Sequence, residues 1–234
     1  MIRKKKLIAF IPVRAGSKGI PGKNLYLING KTLIERTIDL AKSSPSIDLI
    51  VVSSENDKML NIAKKSGAKT VKRPKELSND FASTIDVIDH GISQIEEEDS
   101  YILLLQVTSP LRSKEDLKNA IAQFETNFSA SSLVSITELS DPHPNKVQII
   151  NNGFVKSYLN VESMVPRQSL PTVYRLNGAF YIRKFNEIKE CRSFFSDSTM
   201  PFLLPEERGL NLDSMADIKY LEYLIQTKPE LFHD

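Results

Sequence analysis

Short apolar runs alternate along this chain with stretches whose apolar positions recur every three or four residues. Residues 7–13 (LIAFIPV) form an apolar run that reads as a buried strand. A tight Asn29-Gly30 turn follows, and then Leu33, Ile34, Ile38 and Ala41 fall at helical spacing. Residues 49–53 read as the next strand, residues 57–66 as a helix stopped by Gly67, and residues 68–71 as a short strand. Ile85, Ile88, Ile92 and Ile95 share one helical face, residues 101–105 are a strongly apolar strand, residues 113–124 a helix and residues 133–137 another strand. Strand–helix alternation of this kind predicts an α/β fold: a mostly parallel sheet with helices on both faces. Ligands of such sheets bind at the carboxyl ends of the strands.

The rhythm breaks over residues 141–175. This stretch has several prolines, a hairpin signal at Asn151-Asn152-Gly153 and no long helical pattern. It is expected to leave the main sheet as a dimerisation arm or lid. Residues 1–140 and 176–234 would then form one α/β domain. RLNGAFYI (residues 175–182) returns as a strand, and residues 209–226 read as a strand, a turn and a helix.

Composition narrows the function classes. The chain has 234 residues, 41% hydrophobic and 26% charged, as expected of a folded globular protein. Its net charge of +2 argues against a nucleic-acid binder, and the basic run from Arg3 to Lys6 reads as a solvated flank of the first strand. The single cysteine, Cys191, excludes an internal disulfide and a cysteine-based metal site; it reads as a packing or surface residue and fits a cytoplasmic setting. No apolar run approaches the roughly 20 residues of a membrane span, and residues 7–13 are too short for a signal peptide. His90, His143 and His233 are too scattered for a zinc motif, and no nucleophile elbow supports a Ser–His–Asp triad.

The stretch FIPVRAGSKGIPGKN (residues 10–24) concentrates Gly16, Gly19 and Gly22 with Arg14, Lys18 and Lys23 just past the first strand. It lacks both the Walker A spacing and the Gly-x-Gly-x-x-Gly fingerprint. Taken alone it is either a solvated turn or a loop whose backbone N–H groups and cations cradle phosphate.

RAGSKGIPGKN resembles the signature loop of the acylneuraminate cytidylyltransferases. KRPKELSNDFAST (residues 72–84), LLQVTSPLR (104–112), PRQSLPTVYRLNGAFYI (166–182) and NLDSMAD (211–217) resemble further motifs of that family in the same order, so the likeness spans nearly the whole chain. It implies a Rossmann-like nucleotidyltransferase fold, and a reaction in which CTP is joined to the anomeric hydroxyl of a nine-carbon α-keto acid sugar, releasing pyrophosphate. Arg14, Lys18 and Lys23 are implied to be catalytic, neutralising the triphosphate. Gly16, Ser17, Asn24, Arg73 and Thr84 would complete the nucleotide site, with Ser83 or Thr84 also read as a helix cap. Gln106, Arg167, Arg175 and Asn177 would meet the sugar, the arginines suiting its carboxylate. Val107 stands where the family has proline, and Arg112 is read as pinning the loop or capping a helix.

The resemblance further implies Mg²⁺, but the family's Asp-Ile-Asp is Asn211-Leu212-Asp213 here. A metal would rest on Asp213, phosphate oxygens and water, with Asn211 offering only an uncharged amide oxygen. Ser214 to Asp217 reads as a capping box, and His143 as a loop residue or a substrate contact. A homodimer is implied; nucleic acid and membrane are not. A Kdo-type or GDP-using sister enzyme and a non-catalytic nucleotide-sugar sensor are the competing readings.

Overall fold

The computed structural model describes residues 1–16 and 19–232. In chain order the strands are β1 (Lys6–Pro12), β2 (Leu27–Ile28), β3 (Lys31–Thr32), β4 (Leu49–Ser54), β5 (Lys69–Lys72), β6 (Ser100–Leu104), β7 (Ser132–Glu138), β8 (Gln148–Asn151), β9 (Phe154–Ser157), β10 (Tyr174–Lys184) and β11 (Thr199–Leu203). The helices are α1 (Leu33–Lys42), α2 (Asp57–Lys65), α3 (Thr84–Ser93), α4 (Lys114–Thr126), α5 (Phe185–Cys191) and α6 (Met215–Thr227).

Seven strands form one sheet in the order β11-β7-β10-β6-β1-β4-β5. All run parallel except β10, which lies antiparallel between β6 and β7. The expected mostly parallel α/β sheet is borne out. Strand β1 shows why its sequence is an unbroken apolar run. Leu7, Ala9 and Ile11 face a cluster with Leu33 and Ile38 of α1, Leu117 and Phe124 of α4 and Leu221 of α6. Ile8 and Phe10 face the other way, onto Ile88 and Ile92 of α3 and Phe185 of α5. A strand covered on both faces has no polar side to alternate with. Gly91 lets α3 settle onto β1, because a Cβ there would lie 2.5 Å from the Phe10 ring.

Local chemistry sets the helix ends. Thr32 with Glu35, Ser113 with Asp116 and Ser214 with Asp217 form capping boxes at α1, α4 and α6. Asn56 and Ser83 cap α2 and α3. Each such cap stabilises its helix by about 1 kcal/mol. Asn29 and Gly30, at φ 49° and 77°, make the two-residue turn between β2 and β3.

Several details depart from the sequence reading. Helix α5 and strand β11 were not anticipated. Residues 209–212 are not a strand: Gly209 closes a turn over residues 206–209, and residues 210–213 join no ladder. Nor is Arg3 part of a solvated flank. Its guanidinium stacks 3.8 Å from the Phe124 ring and donates to the carbonyls of Phe124, Asn127 and Ala130, which satisfies the end of α4. Within residues 141–175, β8 and β9 form a separate two-stranded sheet around Asn152 and Gly153, both at positive φ.

Candidate active site

The chain order changes direction at β1. Strands β4 and β5 build outward on one side, and β6 then pairs on the other. The loops leaving β1 and β6 therefore splay apart at their carboxyl ends, where open α/β sheets bind ligands. A cleft of about 440 Å³ opens there. It is lined by Pro12, Val13, Arg14, Lys23 and Asn24 after β1, by Gln106, Val107 and Thr108 after β6, by Arg73, Leu77, Asn79, Asp80, Ala82, Thr84 and Val87 before and within α3, and by Asn211 and Asp213.

The loop after β1 is held by its own hydrogen bonds. Val13 N–H donates to Ser53 at 3.0 Å, extending the pairing with β4. Gly22, at φ 69°, opens the short 3₁₀ turn Lys23–Leu25, which points Lys23 into the cleft. Asn24 is buried and donates to the Arg14 carbonyl at 2.8 Å, bracing the loop across ten residues. Gly19 serves a close approach: a Cβ there would stand 2.1 Å from the Asp213 carbonyl oxygen. The loop and the Asn211–Asp213 segment are thus pressed together at one edge of the cleft.

Lys23 bridges these two walls. Its Nζ donates to the Leu212 carbonyl at 2.6 Å and lies 3.4 Å from Asp213 Oδ1. The lysine side chain is 13% exposed and the aspartate 71%. Asp213 also accepts from Asn211 Nδ2 at 2.9 Å, while Asn211 Oδ1 is buried without a hydrogen-bond partner. Arg14 pairs at 3.0 Å with Asp80, on the opposite rim.

Arg73 reaches the cleft as a tie beam. Its guanidinium donates to the Val13 carbonyl at 2.8 Å, the Ser53 carbonyl at 3.3 Å and the Ser78 hydroxyl at 2.8 Å, and pairs with Glu55 at 3.2 Å. Burial lowers the guanidinium pKa from its ordinary value, with Glu55 opposing. Burial alone would raise the Glu55 carboxyl, but backbone N–H groups of Ala15 and Glu55, the Ser78 hydroxyl and Arg73 together hold it below the usual range. Glu55 and Asp80 were missed by the sequence reading. Glu55 directly follows β4, so its place at a strand's carboxyl end was the available signal.

On the other wall, Gln106 lies over Gly178. Ser83 caps α3, accepting from Asp86 N at 3.1 Å, and this leaves Thr84 exposed on the cleft. Arg112 is buried and donates to the Ala179 carbonyl and to Thr37, so it does pin the loop. Asp217 completes the α6 capping box with Ser214, as the spacing implied.

The structure therefore gathers Arg14, Lys23, Asn24, Arg73, Thr84, Gln106, Asn211 and Asp213 in one cleft. Gly16 is exposed on the loop beside it; Ser17, Lys18 and His233 lie outside the described residues. Three expected sugar contacts do not line the cleft. Asn177 is fully buried at a bulge in β10, its amide engaged by Ser135 and Thr137 at 2.5 and 2.9 Å. Arg175 lies nearby on β10, and exposed Arg167 borders a separate hollow with His143. His143 is itself buried, bonded to Asn145 N and the Pro171 carbonyl. Cys191 is exposed.

A cleft carrying Arg14, Lys23 and Arg73 at the switch point of a doubly covered sheet places the chain among α/β folds that bind ligands at the carboxyl ends of their strands. The chain belongs to the cytidylyltransferase family, whose profile matches residues 8–224. It is 31% identical over 232 residues to the N-acylneuraminate cytidylyltransferase of Streptococcus agalactiae serotype V, covering 95% of this chain and 55% of that protein. It thus spans about half the length of that relative. It is also 32% identical over 232 residues to the CMP-N,N'-diacetyllegionaminic acid synthase of Legionella pneumophila, covering 96% and 98% of the two chains. Its fold resembles that of CMP:2-keto-3-deoxy-manno-octonic acid synthetase solved with CTP, at a TM-score of 0.71 and 14% identity over 96% of this chain and 100% of that one. The resemblance noted in the sequence is borne out at the level of the family. No helix among the described residues is long and apolar enough to cross a membrane.

Proposed function

We propose that this chain is a cytoplasmic cytidylyltransferase that joins CTP to a sialic-acid-like α-keto acid sugar. The observation carrying this reading is the single cleft that brings Lys23, Asn24 and Arg14 opposite Gln106 and beside Asp213. The sugar's anomeric hydroxyl attacks the α-phosphorus in line. A P–O bond forms to the sugar, the bond to the bridging oxygen breaks, pyrophosphate leaves, and the hydroxyl proton passes to solvent. Catalysis of this kind consists of positioning and charge neutralisation.

Lys23, fixed and largely screened from water, neutralises the charge that builds on the leaving pyrophosphate. Such a cation is worth several kcal/mol to the transition state where water is excluded. Arg14 and Lys18 hold the outer phosphates. Asn24 and Arg73 keep the loop in shape, and Thr84 faces the base. Gln106 meets the sugar, and Arg167 and Arg175, which do not line the cleft, would reach its carboxylate when the arm of residues 141–175 closes over it.

The donor set fits one Mg²⁺ carried in by the triphosphate. Asp213 offers a carboxylate and Asn211 a buried, unpartnered oxygen, while no cluster of three acidic, histidine or cysteine ligands exists among the described residues. Bound there, the ion would neutralise phosphate charge.

The protein acts as a homodimer in this reading, with the arm of residues 141–175 helping to close the site. Support comes from the exposed apolar residues of that arm, including Ile150, Phe154, Val155 and Met164. A monodisperse monomer in sedimentation at working concentration would contradict it.

The test of the activity is pyrophosphate release from CTP and Mg²⁺ with neuraminate, legionaminate, pseudaminate and Kdo offered separately. Release with one of the nonulosonates, abolished by Lys23→Ala, is expected. Release with Kdo alone, or with none of the four, would overturn the reading.

A further inference from the structure

A second cavity, of about 330 Å³, shares Val107 with the cleft. It is built from α1, the end of the 106–112 loop and the start of α4, and Lys31, Arg36, Arg112 and Lys114 bring four cationic side chains to its wall. Among the described residues Asp39 is the single carboxylate lining it, and Lys31 already holds Asp39 at 2.5 Å.

Arg112 is the unusual member. It is only 5% exposed, and both of its hydrogen-bond acceptors are neutral: the Ala179 carbonyl at 3.0 Å and the Thr37 hydroxyl at 3.2 Å. Among the described residues no carboxylate pairs with it. Burial accordingly pushes its pKa down to about 9. Buried arginines are ordinarily matched by an acid, because an uncompensated buried charge is costly. Two neutral acceptors also leave much of a five-donor guanidinium unused. Lys114, exposed at the mouth of the same cavity, likewise has no acidic partner among the described residues.

We propose that this cavity is a second anion site, which seats a small phosphate-bearing ligand on Arg112 with Lys114 at its entrance. With Asp39 spent on Lys31 and Arg36 engaged in an interaction of its own, Arg112 and Lys114 leave two positive charges for the ligand to match. A phosphate dianion or phosphomonoester supplies two negative charges and several acceptor oxygens in the geometry a guanidinium fork prefers. A lone carboxylate would leave one cation unmatched. The cavity has the volume of a small-metabolite pocket. The site is separate from the cleft, and the argument for it does not depend on which reaction the cleft performs.

The experiment is calorimetric titration of the full chain carrying Lys23→Ala, which weakens phosphate binding in the cleft. Inorganic phosphate, pyrophosphate and a hexose 6-phosphate are titrated separately, so that the arms distinguish free phosphate from a phosphomonoester. Saturable one-site binding of at least one of them is expected, weakened at least tenfold by adding Lys114→Glu. That exposed position in the first turn of α4 tolerates an acid, so folding is preserved where Arg112→Met could unfold the loop. Thermal unfolding should show the same ligand raising the midpoint of Lys23→Ala protein and not of the Lys23→Ala/Lys114→Glu protein. Absence of saturable binding by all three probes, or binding indifferent to Lys114→Glu, would overturn the proposal.

Discussion

Gly178→Ala tests how the sheet places Gln106 in the cleft. Gly178 sits at the β10 bulge with φ 76°. An alanine there loses about 1–2 kcal/mol to the left-handed backbone alone. Its Cβ would also stand 2.3 Å from Gln106 Oε1 and 3.1 Å from Ser109 Oγ. Gln106 is a flexible side chain, so it can rotate away, at a further cost of about 1 kcal/mol for an off-rotamer position. The expected total is about 2–3 kcal/mol, or roughly 4–12 °C in melting temperature for a chain of this size. The two contributions are separable. In a Gln106→Ala background the 2.3 Å clash is gone and only the 3.1 Å approach to Ser109 Oγ remains, so Gly178→Ala should cost little beyond the backbone part. A double-mutant cycle in denaturant should return a coupling of about 1 kcal/mol. On the activity side, Gly178→Ala should raise KM for the sugar more than it lowers kcat. Equal costs of Gly178→Ala in both backgrounds, with KM unchanged, would refute the placement of Gln106 by Gly178.

Three further outcomes follow from the site. Arg73→Met removes the tie between β1, β4 and Glu55 and leaves a half-buried carboxylate unpaired; chemical denaturation should show a loss of about 3–5 kcal/mol, and a loss under 1 kcal/mol would contradict the tie-beam role. Glu55 has a folded pKa below its ordinary value of 4.5, so its contribution is present above that value and is lost as pH falls through the folded pKa; Glu55→Gln should flatten this part of the acid-unfolding curve, and an unchanged curve would count against it. Asn211→Asp restores a second carboxylate beside Asp213, and Mn²⁺ titration followed by paramagnetic resonance should show about tenfold tighter binding, since ligand charge tunes affinity for hard cations; unchanged affinity would remove residue 211 from the metal site.

The sheet was legible because its strands are covered on both faces, so runs such as LIAFIPV carry no polar position to confuse the period. Helices α1 and α3 were legible from apolar positions at helical spacing, and the starts of α3 and α6 also from their caps. What escaped the reading had weaker or conflicting signals. Helix α5 is only seven residues long, too short for periodicity to declare itself. Strand β11 contains Pro201, which argues against a strand except at a sheet edge, and the edge is where it lies. The Asn211–Asp213 segment carries strand-like alternation, with Leu210 and Leu212 buried. Its backbone groups are instead spent singly, Leu212 N on Thr108, the Leu212 carbonyl on Lys23 and Asp213 N on Asp217.

The site itself was legible by two routes of unequal reach. The position of the glycine and lysine loop after β1 could be read physically, and so could that of the loop after β6. The participation of Arg73, Thr84, Asn211 and Asp213, distant in sequence, came only through resemblance. Resemblance did not reveal that Arg73 spends its donors on the scaffold, or that Gly19 is there for the Asp213 carbonyl. Nor did it show Asn177 as a buried brace of the β10 bulge. These facts belong to packing between segments that no local pattern encodes.

The most direct measurement is a crystal structure of the protein soaked with CTP and Mg²⁺. The account predicts triphosphate density between Lys23 and the 106–108 segment, with Lys23 Nζ moved from the Leu212 carbonyl onto phosphate oxygen and the metal beside Asp213. Nucleotide bound elsewhere, with Lys23 still held by Leu212 and Asp213 at full occupancy, would contradict it.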